Sequence, residues 1–119
     1  MYLRGIRGAI SVAENTKEAI TAETTELLQA VIKTNKIKTE DIASIFFSVT
    51  TDLDAEFPAA AARKMGYTDV PLLCLTEIPV PGSLPSCLRV LVHVNTEKSQ
   101  KEMRHIYLKE AIKLRPDKA

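Results

Sequence analysis

The chain has no tryptophan, and aromatic residues make up only 5% of it. A base-stacking platform for single-stranded nucleic acid is therefore poorly supplied. An excess of one charge is also missing: 16 lysines and arginines against 15 acids leave a net charge of +1. Phosphate-backbone binding needs clustered basic charge, so nucleic acid is not an expected partner. No apolar run approaches the roughly 20 residues that span a bilayer, which removes the membrane as a partner too. The two cysteines, Cys74 and Cys87, have neither CxxC nor zinc-finger spacing. Reduced thiols are expected, and no metal site. The start, "MYLRGIRGAI", lacks a basic leader followed by an apolar block and lacks a small-residue cleavage site, which predicts a cytosolic protein. No GxGxxG or P-loop occurs. His93 and His105 lie in separate segments without an evident Ser or Asp partner, which gives a catalytic triad little support.

What is present suits one soluble domain spanning residues 1–119, with 45% hydrophobic and 26% charged residues. "YLRGIRGAISV" (2–12) reads as a strand loosened by Gly5 and Gly8, with Arg4 and Arg7 on opposite faces. From residue 15 the period changes. Ile20, Thr24, Leu27, Leu28, Val31 and Ile32 recur at helical spacing, Asn15 with Glu18 resembles a capping box, and Asn35 is a fitting stop. "IASIFFSV" (42–49) alternates Ala43, Ile45, Phe47 and Val49 against Ser44 and Ser48. "PAAAARKM" (58–65) predicts a short helix with proline in its first turn. "VPLLCLTE" (70–77) and "CLRVLVHV" (87–94) read as strands flanking a proline-rich loop over 78–85, and residues 104–115 as a short strand or helix before a break at Pro116. The order β-α-β-α-β-β predicts an α+β fold, a mixed sheet covered on one face by the long helix. Its other face is apolar enough to invite a partner subunit.

The lysines stand in polar or helical surroundings, whereas Arg4, Arg7, Arg89 and Arg115 are embedded in "YLRGIRGAI", "CLRVLV" and "IKLRP". In the strand at 87–94, alternation gives Leu88, Val90, Val92 and Val94 to the core and sets Arg89 on the other face with Cys87, Leu91 and His93. A guanidinium there needs acceptors. A salt bridge across the sheet is one account. The predicted strands contain a single acid, Glu77, at a strand end, so a small anionic ligand is the better one, since an unpaired buried charge costs several kcal/mol. Cys74 is read as a small packing residue rather than a nucleophile, and Tyr107 as half-buried packing. Guanidiniums without proton-transfer machinery suit a reaction in which a polyanion is held in one shape while charge on an oxygen is stabilised.

"RGIRGA" (4–9), "DLDAEFPAAAAR" (52–63), "CLTE" (74–77), "CLRV" (87–90) and "RHIYLKEAIKLRPD" (104–117) resemble, in order and spacing, the AroH-class monofunctional chorismate mutases. The resemblance implies a homotrimeric pseudo-α/β-barrel with active sites in clefts between subunits. It implies conversion of chorismate to prephenate by a [3,3] rearrangement, without a cofactor. By the same resemblance Arg89 donates to the ether oxygen, Arg7 and Tyr107 hold a substrate carboxylate, and Glu77 accepts from the ring hydroxyl. Cys74 lines the pocket, Phe57, Ala59 and Leu72 form apolar wall, and Arg63, Leu114 and Arg115 close the entrance, the tail being mobile from about residue 114. One departure is Ala60, where the family pattern usually has lysine, which predicts a higher Michaelis constant. The alternatives are a Rid-type enamine or imine deaminase on a similar trimeric scaffold, and a non-catalytic trimer that binds a small carboxylate.

Overall fold

The computed structural model describes residues 1–115. The elements are β1 (Tyr2–Ser11), α1 (Lys17–Thr34), β2 (Ile42–Val49), α2 (Pro58–Lys64), β3 (Leu72–Thr76), β4 (Cys87–Thr96) and β5 (Ile106–Leu108), with short 3-10 turns between and after them. They build one mixed sheet in the order β3-β2-β4-β1-β5. Its β1–β4 and β2–β4 pairs are antiparallel, while β2–β3 and β1–β5 are parallel. This is the predicted α+β arrangement. Among the described residues no helix is long and apolar enough to cross a membrane.

The first face of the sheet and α1 make the core. Ile20, Leu27, Leu28 and Val31 of α1 are fully buried with Ile6, Ile10, Phe47, Leu88 and Val92 of the strands. Gly8 sets how closely the two layers approach: a Cβ there would lie 3.0 Å from Val90, 3.1 Å from Leu27 and 3.2 Å from Val31. The helix begins differently from the capping box expected at Asn15. Thr16 is the cap, its hydroxyl accepting from Ala19 N at 3.1 Å. Asn15 is drawn away to a distant loop, where its Oδ1 accepts from Asp54 N and Ala55 N and its amide donates to Asp54 Oδ1 at 2.7 Å. Asn35 does end the helix, and its side chain also clasps the backbone of Arg104.

The expected apolar face of β2 fails at one residue. A bulge between Ile42 and Ser44 shifts the register against β4 and turns Ala43 out to solvent. The extra residue inverts the alternation, so Ile42 and Ile45 are both buried although an odd number of positions separates them.

The second face of the sheet is covered only in part by the chain itself. The 3-10 segment Lys109–Leu114 folds under β1 and β4 and packs Ala111 against Ala9 and Cys87. It is tied down by Glu110 N donating to Ser11 Oγ at 3.1 Å and by Lys109, which pairs with Glu23 and Glu26 of α1. Leu114 ends this segment, and the break expected at Pro116 lies outside the described residues.

The loop between β3 and β4 returns through Ser86, a non-glycine residue at φ +48°. Asp52 holds it there. Both carboxylate oxygens accept from Ser86 N, at 3.0 and 3.2 Å, and Thr50 Oγ1 donates to the same carboxylate while accepting from Cys87 N at 3.0 Å. These hydrogen bonds, Thr50's foremost and then Ser86's, hold the Asp52 carboxyl below its ordinary range. A depressed carboxyl stabilises the fold above the unfolded value of about 3.9, and that contribution is lost as pH falls through the folded value. Asp52→Asn is therefore expected to melt below wild type at pH 7, with the two melting temperatures converging as pH drops past about 4. Circular dichroism melts across pH 3 to 7 check this; a gap that stays constant over that range contradicts the assignment.

Candidate active site

Residues paired across a sheet point to the same side. The registers couple Tyr107 to Ala9, Ala9 to Arg89, Arg89 to Ser48 and Ser48 to Leu75. These five side chains form one row across all five strands, on the face turned away from α1. The neighbouring row runs Arg7, Leu91, Phe46, Leu73. Against these rows lies a cavity of about 490 Å³, lined by Arg7, Ala9, Arg89, Tyr107, Glu77 and Leu114 among others. That volume falls within the range of small-molecule sites. Glu77 and Arg89 also border a smaller adjoining space of about 170 Å³ beneath the proline-rich loop.

Glu77 follows the last residue of β3 and is fixed by its backbone, whose N–H donates to Val49 O at 2.8 Å. Two residues beyond Leu75, its side chain reaches the same face. Ser48 Oγ donates to Glu77 Oε1 at 2.8 Å, and Glu77 Oε2 lies 3.1 Å from Arg89 Nε. The scarcity of internal acceptors expected for Arg89 is thus met by the single acid at the strand end. The contact is a close ion pair but not an aligned hydrogen bond, since Arg89 Nε is buried and its N–H meets no acceptor among the described residues. Beside it, burial pushes the Cys87 thiol up from its usual pKa, with the Arg89 charge opposing. A buried, protonated thiol is no nucleophile.

Arg7 and Tyr107 are brought together by the edge of the sheet. Beyond the last β1–β5 pair, Arg7 N donates to His105 Nδ1 at 3.0 Å, so the imidazole continues the ladder by one bond. Burial, and secondarily the Arg7 charge, lower the His105 pKa. The neutral ring, accepting at Nδ1, carries its proton on Nε2. Tyr107 and Leu114 pack onto Ala9, Cys87 and Ala111. Arg4 goes elsewhere, its Nε donating to Lys98 O at 3.0 Å and its guanidinium lying over the Tyr2 ring.

Six of the expected site residues do not line this cavity. Leu72 and Cys74 lie on the helix-facing side of β3, against the main core. Ala59 is buried in α2, Arg63 is exposed in its last turn, and Phe57 stands at its N-terminal end with 67% of its surface exposed. Arg115 caps the final 3-10 segment, next to Leu114. In contrast, Ser48, Phe46, Leu75 and Leu91 join the site without having been singled out as functional. Alternation places Leu91 beside Arg89 and marks Ser48 as polar; only the strand register reveals that Ser48 is Arg89's cross-strand neighbour. His93, which has no evident partner in sequence, has Ser44 at 3.3 Å and sits edge-on to Phe46.

The model of the family "Chorismate mutase type I" matches residues 3–118. The chain is 53% identical to a chorismate mutase AroH of Thermus thermophilus over 97% of this chain and 95% of that one. It is 43% identical to a chorismate mutase AroH of Bacillus subtilis, over 98% and 93% respectively. Among solved structures, a chorismate mutase from Clostridium thermocellum superposes with a TM-score of 0.89 at 52% identity, covering 91% of this chain and 96% of the other. With a full-length family match, two relatives above 40% identity and a shared fold, the chain belongs to the type I chorismate mutase family.

Proposed function

We infer that this chain is a chorismate mutase, converting chorismate to prephenate by an intramolecular [3,3] rearrangement on the route to phenylalanine and tyrosine. Family membership supports the activity and does not favour the deaminase or the non-catalytic trimer. The observation that carries the mechanism is the row across the sheet: a guanidinium and a phenol face one space from either side of an alanine, with Arg7 beside them and one carboxylate at the end. Arg7 and Tyr107 grip a carboxylate of the dianionic substrate, and Glu77 accepts from the ring hydroxyl. Arg89 donates to the ether oxygen, where negative charge gathers as the C–O bond lengthens ahead of C–C closure. Holding the compact chair conformer lowers the barrier through orientation. The fixed cation lowers it further because it needs no reorganisation as charge develops. No proton has to move and no covalent intermediate forms, which is consistent with a site whose acid is paired and whose neighbouring thiol, Cys87, is buried.

Removing one preorganised donor costs about 10²–10³ in kcat, and Arg89→Ala is expected to lose at least that. The disappearance of chorismate absorbance in the ultraviolet measures it; turnover that survives the substitution contradicts the role given to Arg89.

The residues away from the cavity suggest how the site is completed. Phe57, Ala59, Arg63, Leu72 and Cys74 belong to α2 and the helix-facing side of β3, which is an edge strand. Leu73, Leu75, Ile78 and Val80, at that edge and just after it, are large, apolar and about half or more exposed. In a homotrimer this edge covers the cavity of the neighbouring subunit, bringing the α2 and β3 residues to the substrate from outside, while Leu114 and Arg115 close the entrance from within. Light scattering is expected to give about three times the 13.2 kDa chain mass; a fully active monomer contradicts the shared site.

Ala60 lies on α2, two residues beyond the helix's first proline, within this covering group. Restoring the family's cation with Ala60→Lys is expected to lower KM and leave kcat near its original value, because a rim charge helps capture a dianion without touching the reacting atoms. Steady-state kinetics at low salt separates the two constants.

A further inference from the structure

Ser48 is a hydroxyl in a strand whose other residues on the same face include Phe46, and its cross-strand neighbours are Arg89 and Leu75. Its Oγ donates to Glu77 Oε1 at 2.8 Å, while Oε2 lies 3.1 Å from Arg89 Nε and out of line with the N–H. Arginine and carboxylate ordinarily prefer the two-bond fork, in which both oxygens engage parallel N–H groups. Here Glu77 is well placed to form it. Its backbone is anchored to Val49 O, one residue from Ser48, and its side chain already touches the guanidinium.

We propose that Ser48 is a positioning residue that keeps the Arg89–Glu77 pair open, by holding the Glu77 carboxylate in an orientation in which its two oxygens do not face the parallel N–H groups of the guanidinium. The open pair serves two purposes. It neutralises Arg89 from the side, so that the cation tolerates its partly buried position, and it leaves guanidinium donors for an oxygen in the cavity. Without the hydroxyl, Glu77 turns both oxygens onto Arg89, and the donors intended for substrate are spent on an internal acid. The inference rests on the roles assigned above to Arg89 and Glu77.

Ser48→Ala is expected to lower kcat about tenfold, the worth of a hydrogen bond to a charged group, with a smaller change in KM. Ser48→Thr retains the hydroxyl and should stay close to wild type. Melting temperatures of both variants should match the parent, which separates positioning from stability. A readout independent of activity is the Arg89 Nε–H resonance in ¹⁵N NMR, which should move downfield and exchange more slowly in Ser48→Ala as the pair closes. If the alanine variant does not fold, Ser48→Cys keeps the volume, weakens the donor and gives the same readouts. Unchanged kcat in Ser48→Ala, equal loss in Ser48→Thr, or an unmoved Arg89 resonance each overturns the proposal. A wild-type protein inert toward chorismate overturns the assigned reaction instead, and the resonance then decides the Ser48 question alone.

Discussion

A cation set among hydrocarbon on a sheet must be held by something, and here that something is one carboxylate at the end of the neighbouring strand. The Arg89–Glu77 contact spans from β4 to the residue after β3, with β2 between them supplying the serine that touches the acid. Such a pair adds little net stability, because the cost of removing both charges from water offsets their attraction. Its value is geometric. It fixes where the guanidinium stands before any ligand arrives, and the role proposed for Arg89 depends on preorganisation of that kind.

The rest of the molecule serves that geometry through backbone constraints. β4 is central and lies between β1 and β2, so Arg89 has a strand on each side to fix its height and direction. The start of β4 is pinned by the Asp52 carboxylate and the Thr50 hydroxyl, three and two residues before the guanidinium respectively. On the far side of β1, the His105 ring takes the Arg7 amide, and the Asn35 side chain holds the backbone of Arg104. Two loops of the chain are thus tied by side-chain hydrogen bonds to the strands that carry Arg7 and Arg89. The cavity inherits its rigidity from the sheet and its position from these ties.

Much of this was legible in the sequence. The alternation in "CLRVLVHV" gave the correct face to Arg89, and the periodicity at 20–32 gave the helix that buries the opposite one. Arg7, Glu77, Arg89, Tyr107 and Leu114, scattered over four segments of the sequence and named together only through the family resemblance, line one cavity. What escaped has physical causes. A bulge adds one residue to a strand without leaving a mark in composition, so Ala43 was assigned inward. Asn15 and Thr16 are both good helix caps, and only the distant loop that claims Asn15 decides between them. Ser48 needed the β2–β4 register, which pairs it with Arg89, 41 residues on, and cannot be read along either strand.

Ala9 is the one member of the central row that presents almost nothing. It lies between Tyr107 and Arg89, nearly sealed from solvent and packed on Cys87 and Ala111. Space between a phenol and a guanidinium is therefore made by subtraction, from a side chain that stops at its first carbon. The room beside those two groups is thus set partly in β1, where a bulkier side chain would press on Cys87, Ala111 and Leu114 before it reached solvent.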